Sequence, residues 1–143
     1  MFIGQFEHSI DAKNRIAIPS KYRRIFEGEV IITKGLDGCL FLFTKEKWEK
    51  MASGIGQLPT TKSSARLYAR LVLASATEEK FDKQGRVVIQ GFLKKYAQLK
   101  EKVVITGLYD RVEIWDKKVW RETVEKADQN AGKVVEELSE LGI

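Results

Sequence analysis

The sequence predicts a mixed α+β protein, mainly β, built from two β-β-α-β-β-α repeats with flanking helices. The second half of the chain repeats the first at an offset of 71 to 73 residues, which indicates internal duplication. Short apolar runs bounded by glycine- and aspartate-containing turns are typical of strands and hairpins. Each copy also closes with a segment whose apolar residues follow helical spacing.

The duplication is visible as landmarks in the same order. IDAKNRIAIPSKYRRI matches FDKQGRVVIQGFLKKY, and VIITKGLDGCLFLFTKEKW matches VVITGLYDRVEIWDKKVW. The aligned pairs are Asp11 and Asp82, Arg15 and Arg86, Thr33 and Thr106, Gly35 and Gly107, and Trp48 and Trp120. Chance does not readily produce such an ordered series, so both halves are expected to share one plan.

Each copy is expected to open with a strand and a turn. The opening strands are FIGQFEHSI and TEEKF, and an Asp-x-x-x-Arg turn then leads into the short strands RIAI and RVVI and the helical turns SKYRRIF and GFLKKYA. A hairpin follows in each copy, and Gly and Asp at its tip tolerate positive φ. Thr44 and Asp116 are good N-caps for the closing helices.

The chain is expected to form one domain, residues 1–143, rather than two. Repeat one covers about 1–55, a connecting helix about 60–76, and repeat two about 77–143. Half a chain has a thin core, and strands such as CLFLF carry apolar residues on both faces, which need cover on two sides. We therefore expect the halves to interlock around a pseudo-two-fold axis.

The connecting segment SSARLYARLVLASA predicts a buried helix. Leu67, Leu71 and Ala74 form one apolar stripe, and Tyr68 and Val72 form the adjacent one, so the apolar side is wide.

The last helix is predicted to run from Lys117 to about Leu141 along a heptad-like seam. The seam comprises Trp120, Val124, Ala127, Ala131, Val134, Leu138 and Leu141. Gly132 within it either permits close packing or breaks the helix. The seam has two interpretations, packing on the chain's own core or contact with a neighbouring subunit.

Composition excludes several kinds of chemistry. The chain has one His and one Cys, too few for a zinc site that draws on several such ligands. His8 alternates with strand residues, and Cys39 lies in an apolar run, so we expect packing roles for both. No Walker-type or GxGxxG motif is present. We expect no enzyme, no cofactor, no metal and no small-molecule substrate.

No apolar run is long enough to span a membrane, and no secretory signal is evident. With a single cysteine, these features predict a cytoplasmic protein.

The charge is unevenly placed. The net charge is +5, with 12 Lys/Arg against 7 Asp/Glu in residues 1–75 and 13 of each in residues 76–143. The densest cluster comprises Lys13, Arg15, Lys21, Arg23 and Arg24, with no acid among residues 13–24. A basic patch indicates a polyanionic partner, although a solvated surface would also explain it.

The two Asp-x-x-x-Arg turns have a structural and a functional interpretation. The aspartate can cap turn amides while Asn14 or Gly85 adopts left-handed backbone, and a surface Asp–Arg pair contributes only about 0–1 kcal/mol. Two copies favour a shared role. The arginine fork can bind a phosphate or read guanine in the major groove.

The remaining cations around the turns would position DNA without specifying its sequence. Lys13, Lys21, Arg23 and Arg24 surround the first turn, and Lys83, Lys94 and Lys95 take similar places around the second. One chain makes few contacts, so useful affinity requires several chains on one duplex.

The chain resembles the MraZ family over essentially its whole length. The resemblance is carried by the motifs DAKNRIAIPSKYR and DKQGRVVIQGFLKKYA and by the hairpins GLDGCLFLF and GLYDRVEIW. Each half is more distantly similar to the AbrB and MazE type of swapped-hairpin, DNA-binding domain. The resemblance implies a double-split β-barrel and a bacterial transcriptional regulator. Such a regulator forms closed homo-oligomeric rings, associates with the nucleoid and binds short direct repeats in double-stranded DNA upstream of its own operon. That operon is a division and cell-wall gene cluster, which the regulator usually represses.

The resemblance assigns DNA contact to Asp11, Arg15, Asp82 and Arg86, assisted by nearby basic residues. We also expect Asn14, within the first turn, to contact DNA. The second copy departs from the first, with Gln90 in place of Pro19 and Phe92 in place of Lys21. Two other classes remain open, an antitoxin-like protein-interaction scaffold and an RNA-binding protein.

Overall fold

The computed structural model describes residues 1–142, which form the expected α+β arrangement of mainly antiparallel strands. The strands are β1 (Phe2–Ser9), β2 (Arg15–Ala17), β3 (Glu29–Lys34), β4 (Leu40–Phe43), β5 (Thr77–Lys80), β6 (Arg86–Val88), β7 (Lys102–Tyr109) and β8 (Val112–Asp116). The helices are α1 (Ser20–Phe26), α2 (Lys45–Gly56), α3 (Ser63–Val72), α4 (Gly91–Tyr96), α5 (Lys117–Gln129) and α6 (Ala131–Glu137), followed by a 3₁₀ turn (Ser139–Leu141).

Strands from the two halves are interleaved within one six-stranded sheet. Its order is β1-β7-β8-β4-β3-β5, and every neighbouring pair is antiparallel. Exchanging β1 with β5, β3 with β7 and β4 with β8 reproduces the same order in reverse. Each half therefore places its opening strand beside the hairpin of the other half.

The six-stranded sheet is open, so the predicted barrel does not close. β1 and β5 end it at opposite edges, while β2 and β6 form a separate two-stranded ribbon. The ribbon strands are three residues long, and one bridge, Ile10 to Ile16, joins β1 to the ribbon. Such short strands have too few backbone groups to continue the ladder around both edges.

The core lies between the inner face of the large sheet and a layer made by the ribbon, α1 and α4. Val30, Ile32, Val103 and Ile105 contribute from the sheet. Opposite them lie residues of the ribbon and the two short helices, including Ile16, Ile18, Tyr22, Val87, Ile89 and Leu93. Both repeats thus complete a single hydrophobic cluster.

The closing helices begin where the N-cap signals predict. The Thr44 hydroxyl accepts a hydrogen bond from the Lys47 amide at 3.2 Å. The Asp116 carboxylate accepts from the amides of Lys118 and Val119. Each cap satisfies donors that the first helical turn leaves without intrahelical partners.

The prediction for α3 is partly wrong. Val72 is buried, but Leu67 is 63% exposed, so α3 is amphipathic rather than covered on a wide apolar side. Its C-terminal end packs on β3, where the Thr33 hydroxyl donates to the Val72 carbonyl at 2.6 Å. The apolar side of α3 is wide in sequence because it includes Leu67, which is exposed and does not contribute to the core.

The prediction of one continuous C-terminal helix is also wrong, because Asn130 separates α5 from α6. The break precedes Gly132 by two residues. All side chains from Glu125 to Gly142 are exposed, including Leu141 at 75%. The seam beyond Val124 thus does not pack on the chain's own core. Among residues 1–142, no helix combines the length and apolar character that a membrane crossing requires.

Candidate nucleic-acid interface

The first Asp-x-x-x-Arg turn lies between β1 and β2 and is built around one carboxylate. Asp11 Oδ1 accepts hydrogen bonds from the amides of Lys13 and Arg15, both at 2.9 Å. Asp11 Oδ2 accepts one from Arg15 Nε at 2.7 Å. Asn14 has φ 60°, the left-handed backbone that the sequence predicted there. The carboxylate therefore fixes both the turn and the arginine that leaves it.

The second turn, between β5 and β6, repeats this geometry. Asp82 Oδ1 accepts from the amides of Gln84 and Arg86 at 2.9 Å, and Oδ2 accepts from Arg86 Nε at 2.8 Å. Gly85 adopts φ 74°. The recurrence of every contact shows that the aligned residues fold as one local motif.

Both carboxylates are stabilised in the charged form. The amide of Arg15 is the leading cause that lowers the pKa of Asp11, and its guanidinium lowers it further. The amide and guanidinium of Arg86 lower the pKa of Asp82 in the same order. Partial desolvation opposes the effect without reversing it. Each turn thus carries an ionised aspartate paired with its arginine.

The ribbon brings the two turns together. Arg15 pairs with Val88, and Ala17 pairs with Arg86, in the β2–β6 register. Arg86 Nη1 also lies 3.9 Å from Asp11 Oδ2. The side chains of Arg15 and Arg86 are 27% and 28% exposed. Residues 71 positions apart in the sequence therefore share one surface.

Four further predicted site residues are exposed around the turns and the short helices. They are Lys13 and Lys83 on the turns, Arg24 on α1 and Lys95 on α4. None of the four forms an ion pair within the part of the chain that the structure describes. Their charges remain available to an external anion.

Three other predicted cations make contacts within the protein. Lys21 lies over the Phe6 ring, with Nζ 5.2 Å from its centroid. Arg23 Nε donates to the Ile18 carbonyl at 2.9 Å, and Lys94 Nζ donates to Asn14 Oδ1 at 3.0 Å. The basic cluster seen in the sequence therefore divides into cations without an internal partner and cations with one, and Lys21 of the second group is nevertheless exposed.

Two contacts between the repeats were missed in the sequence analysis: Lys94 with Asn14, and the Arg23 guanidinium over Gly85. A signal for both was present. Arg23 aligns with Lys94 and Asn14 aligns with Gly85 at the same offset of 71 residues. An interlocked pair of repeats would place each helix beside the opposite turn. The alignment and the expected pseudo-two-fold axis together could have found these pairs.

Cys39 and His8 lie outside this surface. Cys39 is buried, and desolvation raises the pKa of its thiol, which disfavours the reactive thiolate. His8 is a half-buried β1 residue opposite Val103. Both positions agree with the predicted packing roles.

Comparison with known proteins gives the family. A family model described as "MraZ protein, putative antitoxin-like" matches twice, over residues 1–71 and 72–139. The chain belongs to the MraZ family. This confirms the resemblance carried by the paired turns and hairpins.

Curated members of the MraZ family match over the full length of the chain. Proteins named transcriptional regulator MraZ from Pediococcus pentosaceus and Acetivibrio thermocellus are each 41% identical to this MraZ-family chain over 143 residues. One from Thermoanaerobacter pseudethanolicus is 42% identical over 143 residues. In all three cases the match covers 100% of both chains.

Proposed function

We propose that this MraZ-family chain is a sequence-specific, DNA-binding transcriptional regulator without catalytic activity. Its target is a set of short direct repeats upstream of its own division and cell-wall gene cluster, which it represses. The supporting observation is the pairing on one ribbon of two arginine-bearing turns that share the same hydrogen-bond geometry. The name of the curated relatives, transcriptional regulator MraZ, supports a role in transcription.

Arg15 and Arg86 are the proposed base-reading residues. Each Nε is bonded to its own aspartate, which fixes the plane of the guanidinium. The terminal nitrogens of Arg15 form no hydrogen bond with residues 1–142, so they can address O6 and N7 of one guanine. Asp11 and Asp82 hold the turns, since a carboxylate facing phosphate would repel it.

The exposed cations supply the sequence-independent contacts. Lys13 and Arg24 flank the first turn, and Lys83 and Lys95 flank the second. Lys and Arg bind phosphate oxygens and set the register of the protein on the duplex. Asn14 and Gly85 shape the turns and place these side chains.

Assembly into a closed homo-oligomeric ring completes the proposal. One chain offers two base-reading arginines, which give limited discrimination because one bidentate base contact contributes about 1–3 kcal/mol. Head-to-tail association presents successive turns in one orientation, which suits direct repeats rather than a palindrome. Simultaneous contacts then raise affinity through effective concentration. Such a regulator acts in the cytoplasm, at the nucleoid.

The decisive experiment measures binding of Arg15→Ala to duplex DNA from the chain's own upstream region. We expect a loss of repeat-specific binding with folding intact, because Arg15 is partly exposed and its loss leaves Asp11 bound to two amides. Arg121→Ala, an exposed change on α5, is the matched control and should bind normally. Near-wild-type affinity of Arg15→Ala for the repeats would contradict the assignment.

The same assay should include scrambled duplex and single-stranded RNA. The apolar residues exposed on α6 favour the alternative of an antitoxin-like protein-interaction scaffold. A scaffold would ignore duplex DNA, and an RNA-binding protein would prefer the RNA probe. Preference for the repeat-containing duplex over both other probes supports the regulator.

A further inference from the structure

We propose that Arg23 and Lys94 are positioning residues that lock the turn of the opposite repeat, rather than phosphate-binding residues. This inference rests on the proposed function and deepens it. Each short helix carries one cation across the ribbon to the residue just before the arginine of the other copy. The two base-reading arginines are thereby fixed as a pair.

The first contact joins α4 to the first turn. Lys94 Nζ donates to Asn14 Oδ1 at 3.0 Å, across 80 residues of sequence. The carbonyl of Asn14 also accepts a hydrogen bond from the Ile89 amide at 2.7 Å. Side chain and main chain of Asn14 are therefore both bonded to repeat two, and Arg15 follows directly.

The second contact joins α1 to the second turn. Arg23 Nε is held by the Ile18 carbonyl, and its guanidinium lies over Gly85, where a Cβ would overlap Nη1 and Cζ of Arg23. The Gly85 carbonyl accepts from the Ile18 amide at 3.0 Å. This arrangement mirrors the first with the repeats exchanged, and Arg86 follows directly.

The two contacts solve the same steric problem in different ways. Both turn residues adopt positive φ, which only Gly and Asn tolerate readily. Lys94 has a narrow ammonium that leaves room for the Asn14 amide, and it binds that amide. Arg23 has a broad planar guanidinium that fills the same space over Gly85. The residue pairs Lys–Asn and Arg–Gly are therefore matched sets.

Binding of Lys94→Met to DNA at several salt concentrations separates the positioning role from phosphate contact. A phosphate contact contributes about 0.9 to the log–log salt slope. We expect Lys94→Met to keep the wild-type slope while its preference for the direct repeats over scrambled duplex falls by about tenfold. Lys95→Met, the exposed neighbour, should lower the slope and keep the preference. Equal slope losses in both variants would overturn the proposal.

A second test rebuilds the first contact in the second turn. Gly85→Asn places a side chain into the Arg23 guanidinium and should abolish repeat preference. Adding Arg23→Lys recreates the Lys–Asn pair of the other turn and should restore most of that preference. A double variant that binds no better than Gly85→Asn alone would overturn the matched-pair argument.

A DNA-free measurement distinguishes failure of the proposed positioning contacts from failure of the proposed function. Urea unfolding of Lys94→Met, Asn14→Gly and their combination should show non-additive free energies of unfolding. Additive free energies of unfolding would overturn the positioning contact between Lys94 and Asn14, even if the protein binds DNA. If the free energies of unfolding are coupled but the protein does not bind duplex DNA, the proposed regulator function is overturned. The role of the contact in positioning base-reading arginines then fails with it.

Discussion

Asp11 and Asp82 present an apparent conflict with the proposed function, since a surface that binds DNA seldom benefits from carboxylates. Each accepts two backbone hydrogen bonds and one from the guanidinium. These hydrogen bonds offset the negative charge within the turn, and they fix the plane of the arginine guanidinium. A preorganised arginine loses less side-chain entropy when it binds than a mobile one does.

Acid titration should reveal the two aspartates. Their pKa values are lower in the folded protein than the ordinary value of 3.8, so the folded state binds fewer protons. Their stabilisation is therefore present above about pH 4 and is lost as the pH falls through the folded pKa values. The double variant Asp11→Asn with Asp82→Asn lacks both carboxylates. Its melting temperature should therefore fall less between about pH 5 and about pH 2 than that of the wild type.

The control for this titration is Asp128→Asn, an exposed aspartate on α5. It should leave the acid limb of the wild-type curve unchanged. If the melting temperature of the Asp11→Asn, Asp82→Asn variant falls in acid as steeply as that of the wild type, the role given to the carboxylates is contradicted.

In the second repeat, Gly107 of β7 lies where the backbone is closely approached by other elements. A Cβ on Gly107 would meet the Ile3 amide nitrogen at 2.5 Å and the Tyr22 hydroxyl at 2.6 Å. The Tyr22 hydroxyl itself donates to the Ile3 carbonyl at 2.6 Å. Backbone from β1 and β7 and the tyrosine from α1 therefore meet at one point.

Gly107→Ala should destabilise the fold by about 1–3 kcal/mol, because backbone atoms must move to admit the methyl group. Chemical unfolding measures the change. Gly54→Ala is the matched control, since nothing lies within 4 Å of its added Cβ on α2, and it should stabilise by about 0.5–1 kcal/mol. Similar effects of the two substitutions would contradict the packing argument.

Aligned threonines in β3 and β7 differ in hydrogen bonding. Thr33 Oγ1 donates to the Val72 carbonyl and lies 2.9 Å from Ser75 Oγ. Thr106 Oγ1 is buried without a hydrogen-bond partner among residues 1–142. Thr33→Val should therefore cost about 1–3 kcal/mol, while Thr106→Val should be neutral or stabilising. Equal losses in urea unfolding would contradict the stabilising role given to the hydrogen bonds of Thr33.

Local elements were largely predictable because their signals are local. Asp and Asn or Gly set the turns, while Thr44 and Asp116 cap helices where their side chains can reach the first amides. Leu67 shows the limit of this reasoning. Apolar spacing predicted its burial, but which side of α3 meets β3 depends on contacts that are remote in sequence.

For the molecule as a unit, the expected interlocking has a specific physical content. Each opening strand pairs with the hairpin of the other half, so the thin core of either repeat is completed only by both. The repeat alignment suggested this exchange. The open edges of the six-stranded sheet could not be derived, because barrel closure depends on strand lengths and register across the whole sheet.

The candidate site shows the same division. Arg15 and Arg86 were predicted from sequence, since duplication marks them directly. That Lys94 and Arg23 are bonded to the opposite turns was not predicted, because side-chain reach across an interface depends on the relative placement of the helices.

The exposed apolar residues of α6 and of the short segment after it determine what is expected of the assembly. Val134, Leu138 and Leu141 are 44%, 38% and 75% exposed, and burying such side chains contributes about 1.5–3 kcal/mol each. Packing on the chain's own core is ruled out for this part of the seam, so the neighbouring-subunit interpretation remains for it. Leu138→Asp should therefore weaken association without unfolding the chain, as sedimentation velocity and circular dichroism would measure.

Lys133→Asp is the matched control for Leu138→Asp, because it adds a negative charge to the same C-terminal segment at a position that is already polar. It should retain the wild-type sedimentation coefficient. If both variants assemble like the wild type, the contact lies elsewhere. If only Leu138→Asp dissociates and also loses repeat-specific binding while Arg15 is intact, affinity depends on several chains acting together. That outcome would join the apolar end of the chain to the basic turns through multivalency rather than through direct contact.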